Sequence, residues 1–219
     1  MNSTPTGVIV EAITRAIVEH RLQPGEKLVE QKLADQFGVS RTLIRQALFK
    51  LSQNRLIRME PARGAFVSAP SIEEARQVFA VRRILEAGMT RAFMQGATAA
   101  HIKALKGHIA KESAAIKRDD VAARTTLLGD FHVRMAELMG NDVLAALLTD
   151  LISRCALITL MYQSTTDAEH SHDEHADIVA AIEAGDESLA LSLMSTHLSH
   201  VEQALTLFPD IEASKASPR

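Results

Sequence analysis

The chain has a single cysteine, Cys155, among its 219 residues. That scarcity excludes an internal disulfide and any cysteine-rich metal cluster, and it fits a reducing compartment. Long apolar runs are scarce as well. The longest uncharged apolar stretch, Cys155 to Gln163, falls far short of the roughly 20 residues a membrane helix needs. The opening MNSTPTGVIVEAITR lacks the apolar centre of a signal peptide, so a cytoplasmic protein with no membrane partner is expected. The zinc-protease pattern His-Glu-x-x-His, a phosphate-cradling glycine loop and a nucleophile elbow are all missing, which argues against an enzyme. What is present, 47% apolar and 23% charged residues, can bury a proper core and excludes a disordered or collagen-like chain.

Charge is spread unevenly. Residues 1–70 carry ten Lys and Arg against six Asp and Glu, a net of +4, and the remainder carries a net of -7. A small basic unit joined to a larger acidic one suggests that the first meets a polyanion and the second does not.

The apolar period is near 3.6 almost throughout, so the chain reads as mostly α. Val8, Ile9, Ala12, Ile13, Ala16 and Ile17 make a first amphipathic helix, stopped by Pro24 and Gly25. A second helix runs from Glu30 to Phe37, where Gly38 can take a left-handed conformation cheaply, and Ser40 is a good N-cap for a third ending near Asn54. LIRMEPARGAFVS then reads as a hairpin around Pro61 and Gly64. That order is an N-terminal winged helix-turn-helix, placed at 1–69. A capping box, Ser71-Ile72-Glu73-Glu74, opens a C-terminal all-helical bundle over 70–210, with helical patterns at 72–95, 98–118, 120–139, 142–163, 172–184 and 187–207 and a frayed tail at 211–219.

Arg41 and Arg45 stand at i and i+4 near the start of the third helix, while Leu43, Ala47, Leu48 and Leu51 supply its packing side. An arginine so placed can grip phosphate or bind guanine bidentately, and Ser40 with Thr42 can bond phosphates at the helix N-terminus.

In the bundle, polar side chains fall on apolar faces. Arg82 lines up with Val78, Leu85 and Met89, and Arg154 with Leu147, Leu151 and Ile158. His132, His175 and His197 share faces with Leu128 and Met135, with Ile178 and Ile182, and with Leu193 and Val201. All five are expected to point inward. Buried guanidinium groups need a carboxylate partner or an anion-receiving cavity, and three neutral imidazoles from three helices would make a metal site with open positions. A metal-free pocket is the alternative. His172 and His200 read as half-exposed, and His20, His101, His108 and His170 as surface residues.

The fragments LQPGEKL, LADQFGVSRTLIRQAL, LSQNRLI and RGAFV resemble, in order, the DNA-binding domain of the GntR family of bacterial transcription regulators. The resemblance assigns Arg41, Thr42 and Arg45 to the recognition helix and Gly64, with Arg63, to a wing tip in the minor groove. Gln31 stands where some members have arginine. The bundle resembles the FCD domain of the FadR subgroup through Arg82-Arg83-Ile84-Leu85-Glu86, Asp130-Phe131-His132, Glu174-His175 and Thr196-His197-Leu198. That implies a divalent metal, zinc or nickel, on His132, His175 and His197, with a small carboxylate effector bound beside it, which the inward-facing Arg82 and Arg154 would receive. The family's aspartate one turn before the first histidine is Leu128 here, and leucine cannot coordinate.

Together these readings imply a homodimeric regulator, a repressor by family habit, binding double-stranded operator DNA and modulated by a small organic acid. The alternatives are a metal-dependent hydrolase and a DNA-binding protein with a ligand-free structural bundle.

Overall fold

A computed structural model describes residues 4–19, 21–69 and 71–206 of the chain. They fall into two compact units that meet in sequence between Ser71 and Ile72. His20 and the expected tail at 211–219 lie outside the described residues.

The first unit begins with α1 (Pro5–Val18), capped by the Thr4 hydroxyl, which accepts from the Gly7 N–H. Proline at the first helical position costs nothing there, because that N–H has no partner in the helix anyway. α2 (Glu30–Phe37) ends at Gly38, whose φ of 64° is the left-handed conformation that reverses the chain. Ser40 then caps α3 (Arg41–Gln53), accepting from the Leu43 N–H at 3.3 Å. Ile9, Ile13 and Ile17 of α1 and Ile44, Leu48 and Leu51 of α3 are fully buried against one another. Each such side chain contributes about 1.5–3 kcal/mol of burial free energy.

The expected hairpin is β2 (Ile57–Glu60) and β3 (Gly64–Val67), antiparallel, with Arg58 opposite Phe66. A third strand, β1 (Lys27–Leu28), pairs with the other edge of β3 and sets Lys27 opposite Phe66. Two residues are too few to show alternation, which is why periodicity gave no sign of it.

Among the described residues the second unit has six helices: α4 (Ile72–Gly96), α5 (Ala99–Lys117), α6 (Val121–Leu138), α7 (Asp142–Tyr162), α8 (Thr165–Ala184) and α9 (Glu187–Thr206). Phe79, Phe93, Leu105, Phe131, Met135, Leu148 and Ile178 form its buried centre. A Cβ on Gly129 would meet Ile152 Cγ2 at 2.8 Å, so α6 and α7 approach where only hydrogen fits. α7 has the length and mean hydropathy, 1.9 over Asp142–Met161, of a membrane span, yet it carries Asp150 and Arg154 and packs on α4 and α6.

One boundary differs from expectation. α8 starts at Thr165, not near 172, with Ser164 and Asp167 forming a capping box. Its first inward residues are Ala168, Ser171 and His175, all buried, so small and polar groups occupy the face where a hydrophobic stripe was sought. Arg124, itself buried, bonds Asp119, the Thr165 hydroxyl and the Gln163 carbonyl, tying the start of α6 to the α7–α8 turn.

Candidate nucleic-acid interface and metal centre

The N-terminal turn of α3 presents Arg41, Thr42 and Arg45 to solvent. Both arginines converge on one carboxylate at the start of α2: Arg41 Nη2 lies 3.0 Å and Arg45 Nε 2.9 Å from Glu30. The Arg45 guanidinium, aided by Arg41 and opposed by burial, holds the Glu30 carboxyl below the usual carboxylate range. The pair is thus a two-arginine fork on a single acid. Gln31 donates to Asp35 at 2.8 Å on the exposed side of α2. Ser40 serves as the α3 cap, which occupies its hydroxyl as an acceptor.

On the wing, Gly64 has a φ of 101°, a region disfavoured for any side chain, and it closes the turn after Arg63. Arg63 pairs with Glu60 at 2.5 Å and lies 5.4 Å from the Phe66 ring centroid. Lys27 and Arg58 flank the same ring at 5.8 and 5.2 Å. Neither was expected in the interface. Arg58 could have been found from the hairpin register, because it is the cross-strand partner of Phe66 on one face.

The bundle brings His132, His175 and His197 together in its interior, each at most 2% exposed. Their Nε2 atoms converge, with His175 to His197 at 3.2 Å and His197 to His132 at 3.3 Å. Every Nδ1 faces a carboxylate instead: His132 lies 2.5 Å from Glu86, His175 3.0 Å from Glu112 and His197 2.8 Å from Glu174. Phe131 stacks on the His175 ring at 3.9 Å between centroids. Two ligands bonded to one tetrahedral zinc at about 2.05 Å lie about 3.3 Å apart, the spacing these nitrogens already have. Orienting a ligand histidine through its other nitrogen on a carboxylate is the usual arrangement around a bound metal.

Electrostatics favour neutral imidazoles. Burial pulls His132 and His197 down to about 4 and His175 well below its ordinary value. Burial pushes the Glu86 carboxyl up, but Arg82 and His132 outweigh it and bring it down to about 2. Glu174 goes the same way, to about 2, because hydrogen bonds from His197 and His200 overcome its burial. Burial dominates at Glu112 and raises it.

Arg82 is buried as expected, 5% exposed, with Nε 2.6 Å from Glu86 and its guanidinium 5.1 Å from the Phe79 ring centroid. Its two terminal nitrogens have no partner among the described residues. Arg154 is a correction. It stays 35% exposed, in ion pairs with Asp150 at 3.0 Å and Glu74 at 3.4 Å, and does not join the histidines. Of its supposed inward stripe, Ile158 is buried, Leu151 only partly so and Leu147 49% exposed, because the buried side of α7 runs through Ala145, Leu148, Cys155 and Ile158 and leaves Arg154 at its edge. His108 is a second correction: it is buried, bonding the Leu127 carbonyl at 2.8 Å beside Glu112. Leu128 packs with Ile116 and Ala168, and Asp130 is exposed on an unbroken α6, so neither supplies a ligand.

The three carboxylate anchors were not singled out from sequence as such. A signal existed for two of them, since Glu86 and Glu112 stand four residues after Arg82 and His108, on the same helix faces.

A winged helix-turn-helix with an arginine fork, followed by a helical bundle enclosing histidines, defines a DNA-binding transcription regulator with an appended helical domain. The chain belongs to the GntR family: residues 5–67 match the bacterial regulatory proteins, gntR family, and residues 77–200 match the FCD domain. It is 27% identical to the HTH-type transcriptional regulator LutR of Bacillus subtilis, over 84% of this chain and 94% of that one. It is 24% identical to the HTH-type transcriptional repressor RspR of Escherichia coli, over 90% and 87%. Among solved structures, a GntR transcriptional regulator from Rhodococcus sp. RHA1 superposes with a TM-score of 0.71 at 22% identity, covering 93% of this chain and 99% of that one. Escherichia coli McbR/YncC superposes at 0.69 and 18% identity, covering 93% and 98%.

Proposed function

We propose that this chain is a cytoplasmic, homodimeric repressor, without enzymatic activity, whose hold on a pseudo-palindromic operator is set by a small carboxylate effector bound in the FCD domain. The observation that carries the reading is the convergence of three Nε2 atoms, each ring anchored by a carboxylate at Nδ1. A zinc or nickel ion there, when bound, supplies Lewis acidity and open positions for a carboxylate oxygen. His132, His175 and His197 would hold it, with Glu86, Glu112 and Glu174 fixing the ring orientations. Arg82 offers two unengaged donors beside Glu86, suited to the second oxygen of an acid. Glu174, engaged with His197, is a poor general base, which disfavours a hydrolase.

On the DNA side, Arg41 and Arg45 would enter the major groove while Ser40, Thr42 and Gln31 meet its borders, with Arg63 and Gly64 at the wing tip. Two such helices must lie about 34–36 Å apart, or a multiple, which requires two copies. Exposed Val81 and Ile84 of α4 and Val143 and Leu147 of α7 favour association through the bundle.

The test is a thermal-shift screen of small carboxylates on metal-analysed protein, paired with operator binding. A true effector at a hundredfold excess over its Kd should add about 2.7 kcal/mol of stability and weaken operator binding. Chelation or Arg82→Ala should abolish that response while effector-free binding persists. Full response in metal-stripped protein would defeat the metal part, and no response to any acid would defeat the effector part.

A further inference from the structure

A second convergence of donors lies where α8 and α9 reach the surface. His170 Nε2, His200 Nδ1 and Glu174 Oε1 face one another: the two ring nitrogens are 3.2 Å apart, and the oxygen is 3.2 Å from His170 and 2.5 Å from His200. His170 and Glu174 stand four residues apart on α8, so one helix face supplies both, and α9 supplies His200 one turn after His197. The side chains of His170 and His200 are 59% and 43% exposed, whereas that of Glu174 is 12% exposed. Two ring nitrogens turned toward each other and toward one oxygen share few protons. A cation satisfies all three lone pairs at once: bonds of about 2.0–2.2 Å call for donors about 3.3 Å apart, close to the two 3.2 Å spacings, while the 2.5 Å His200–Glu174 contact is a hydrogen bond that opens by less than about 1 Å when the ion replaces its proton.

We propose that His170, Glu174 and His200 form a second, solvent-facing site for a divalent transition-metal ion, joined to the buried histidine centre through the shared Glu174 carboxylate. Two imidazoles and one carboxylate favour zinc, nickel, cobalt or copper over magnesium or calcium. The remaining positions open to water, so the ion exchanges with bulk metal. Glu174 accepts from His197 Nδ1 through Oε2 at 2.8 Å and faces the outer histidines through Oε1. A cation on Oε1 withdraws charge from Oε2, makes His197 a weaker donor to any inner ion and adds positive charge beside it. Occupancy of the two sites is therefore antagonistic, and by linkage the antagonism is mutual. This coupling, unlike the outer site itself, rests on the reading of the buried centre as a metal site.

The experiment is calorimetric titration of untagged, chelator-treated, full-length protein with zinc alone, comparing the native chain with His170→Ala/His200→Ala. Both replaced residues are exposed, and a thermal melt of the double variant checks that the fold is kept. The expected result is two zinc ions per chain falling to one. One ion per chain falling to none supports the outer site and removes the inner one. One ion per chain in both proteins, or two in both, overturns the proposal. The coupling is read with a third protein, His132→Ala, which keeps the outer donors and removes an inner one: the product of the two native association constants should lie roughly 5-fold or more below the product of the two single-site constants, and equality overturns the coupling. Cobalt titration supplies an independent readout, since the double variant should lose the visible bands of the exposed site.

Discussion

Both units of the molecule set basic side chains against a carboxylate, and they do so in opposite surroundings. In the first, Arg41 and Arg45 share Glu30 with 54% and 61% of their own surfaces in water. In the second, Glu86 is fully buried between Arg82 and His132. Water screens the first pair and makes it cheap to break, so the arginines can be handed to phosphate or guanine. Burial removes the screening of bulk water from the second, so Glu86 holds Arg82 Nε and His132 Nδ1 in fixed positions. The same chemistry serves exchange at the surface and positioning in the interior.

The comparison breaks most visibly at Glu86. Replacing it with alanine leaves the Arg82 guanidinium buried without its partner and His132 Nδ1 without an acceptor. Loss of one partner of a buried pair typically costs about 3–5 kcal/mol. Urea unfolding of Glu86→Ala should show a loss in that range, whereas a loss below about 1 kcal/mol would mean that water reaches the centre after all.

Much of the first unit was legible in the sequence because its signals are local. Gly38, Ser40 and the apolar spacing of α3 specify a turn and a helix within a few residues, and the observed bounds follow them. The bundle is legible in its helices but less so in their rotation. On α7, apolar residues lie on more than one side, so Leu147 and Leu151 suggested a face for Arg154 that packing does not bury. On α8, the buried face opens with Ala168, Ser171 and His175, and hydrophobicity could not reveal it. The inward histidines were found because each sits among unambiguous apolar neighbours. His108 was missed because its face is shared with Glu112, and a charged residue four positions on argues for solvent unless the pair is buried together.

A second way to sharpen the contrast is Arg45→Ala. The residue packs on nothing that the core needs, so the melting temperature should stay unchanged. Operator affinity should fall roughly 5- to 150-fold, with relaxed preference at one base pair, if Arg45 reads a base. A uniform loss across sequences, with a salt slope shallower by about one, would reassign it to phosphate. Unchanged binding would remove it from the interface.

The smallest effect, and the most direct probe of the surface pair, is expected for Glu30→Gln. Glu30 is ionised at neutral pH, since Arg45 holds its carboxyl below the usual range. It therefore repels phosphate and competes with it for both arginines. Exposed pairs contribute about 1 kcal/mol or less, so unfolding should barely change. Affinity for non-specific duplex, by contrast, should rise several-fold at low salt, and the dependence on salt should steepen by about one counterion. If affinity falls instead, Glu30 is needed to hold the two guanidinium groups in register, and the fork is pre-organised for the groove. A stability loss as large as that of Glu86→Ala would erase the distinction between the two settings, because it would make the exposed carboxylate as indispensable to the fold as the buried one.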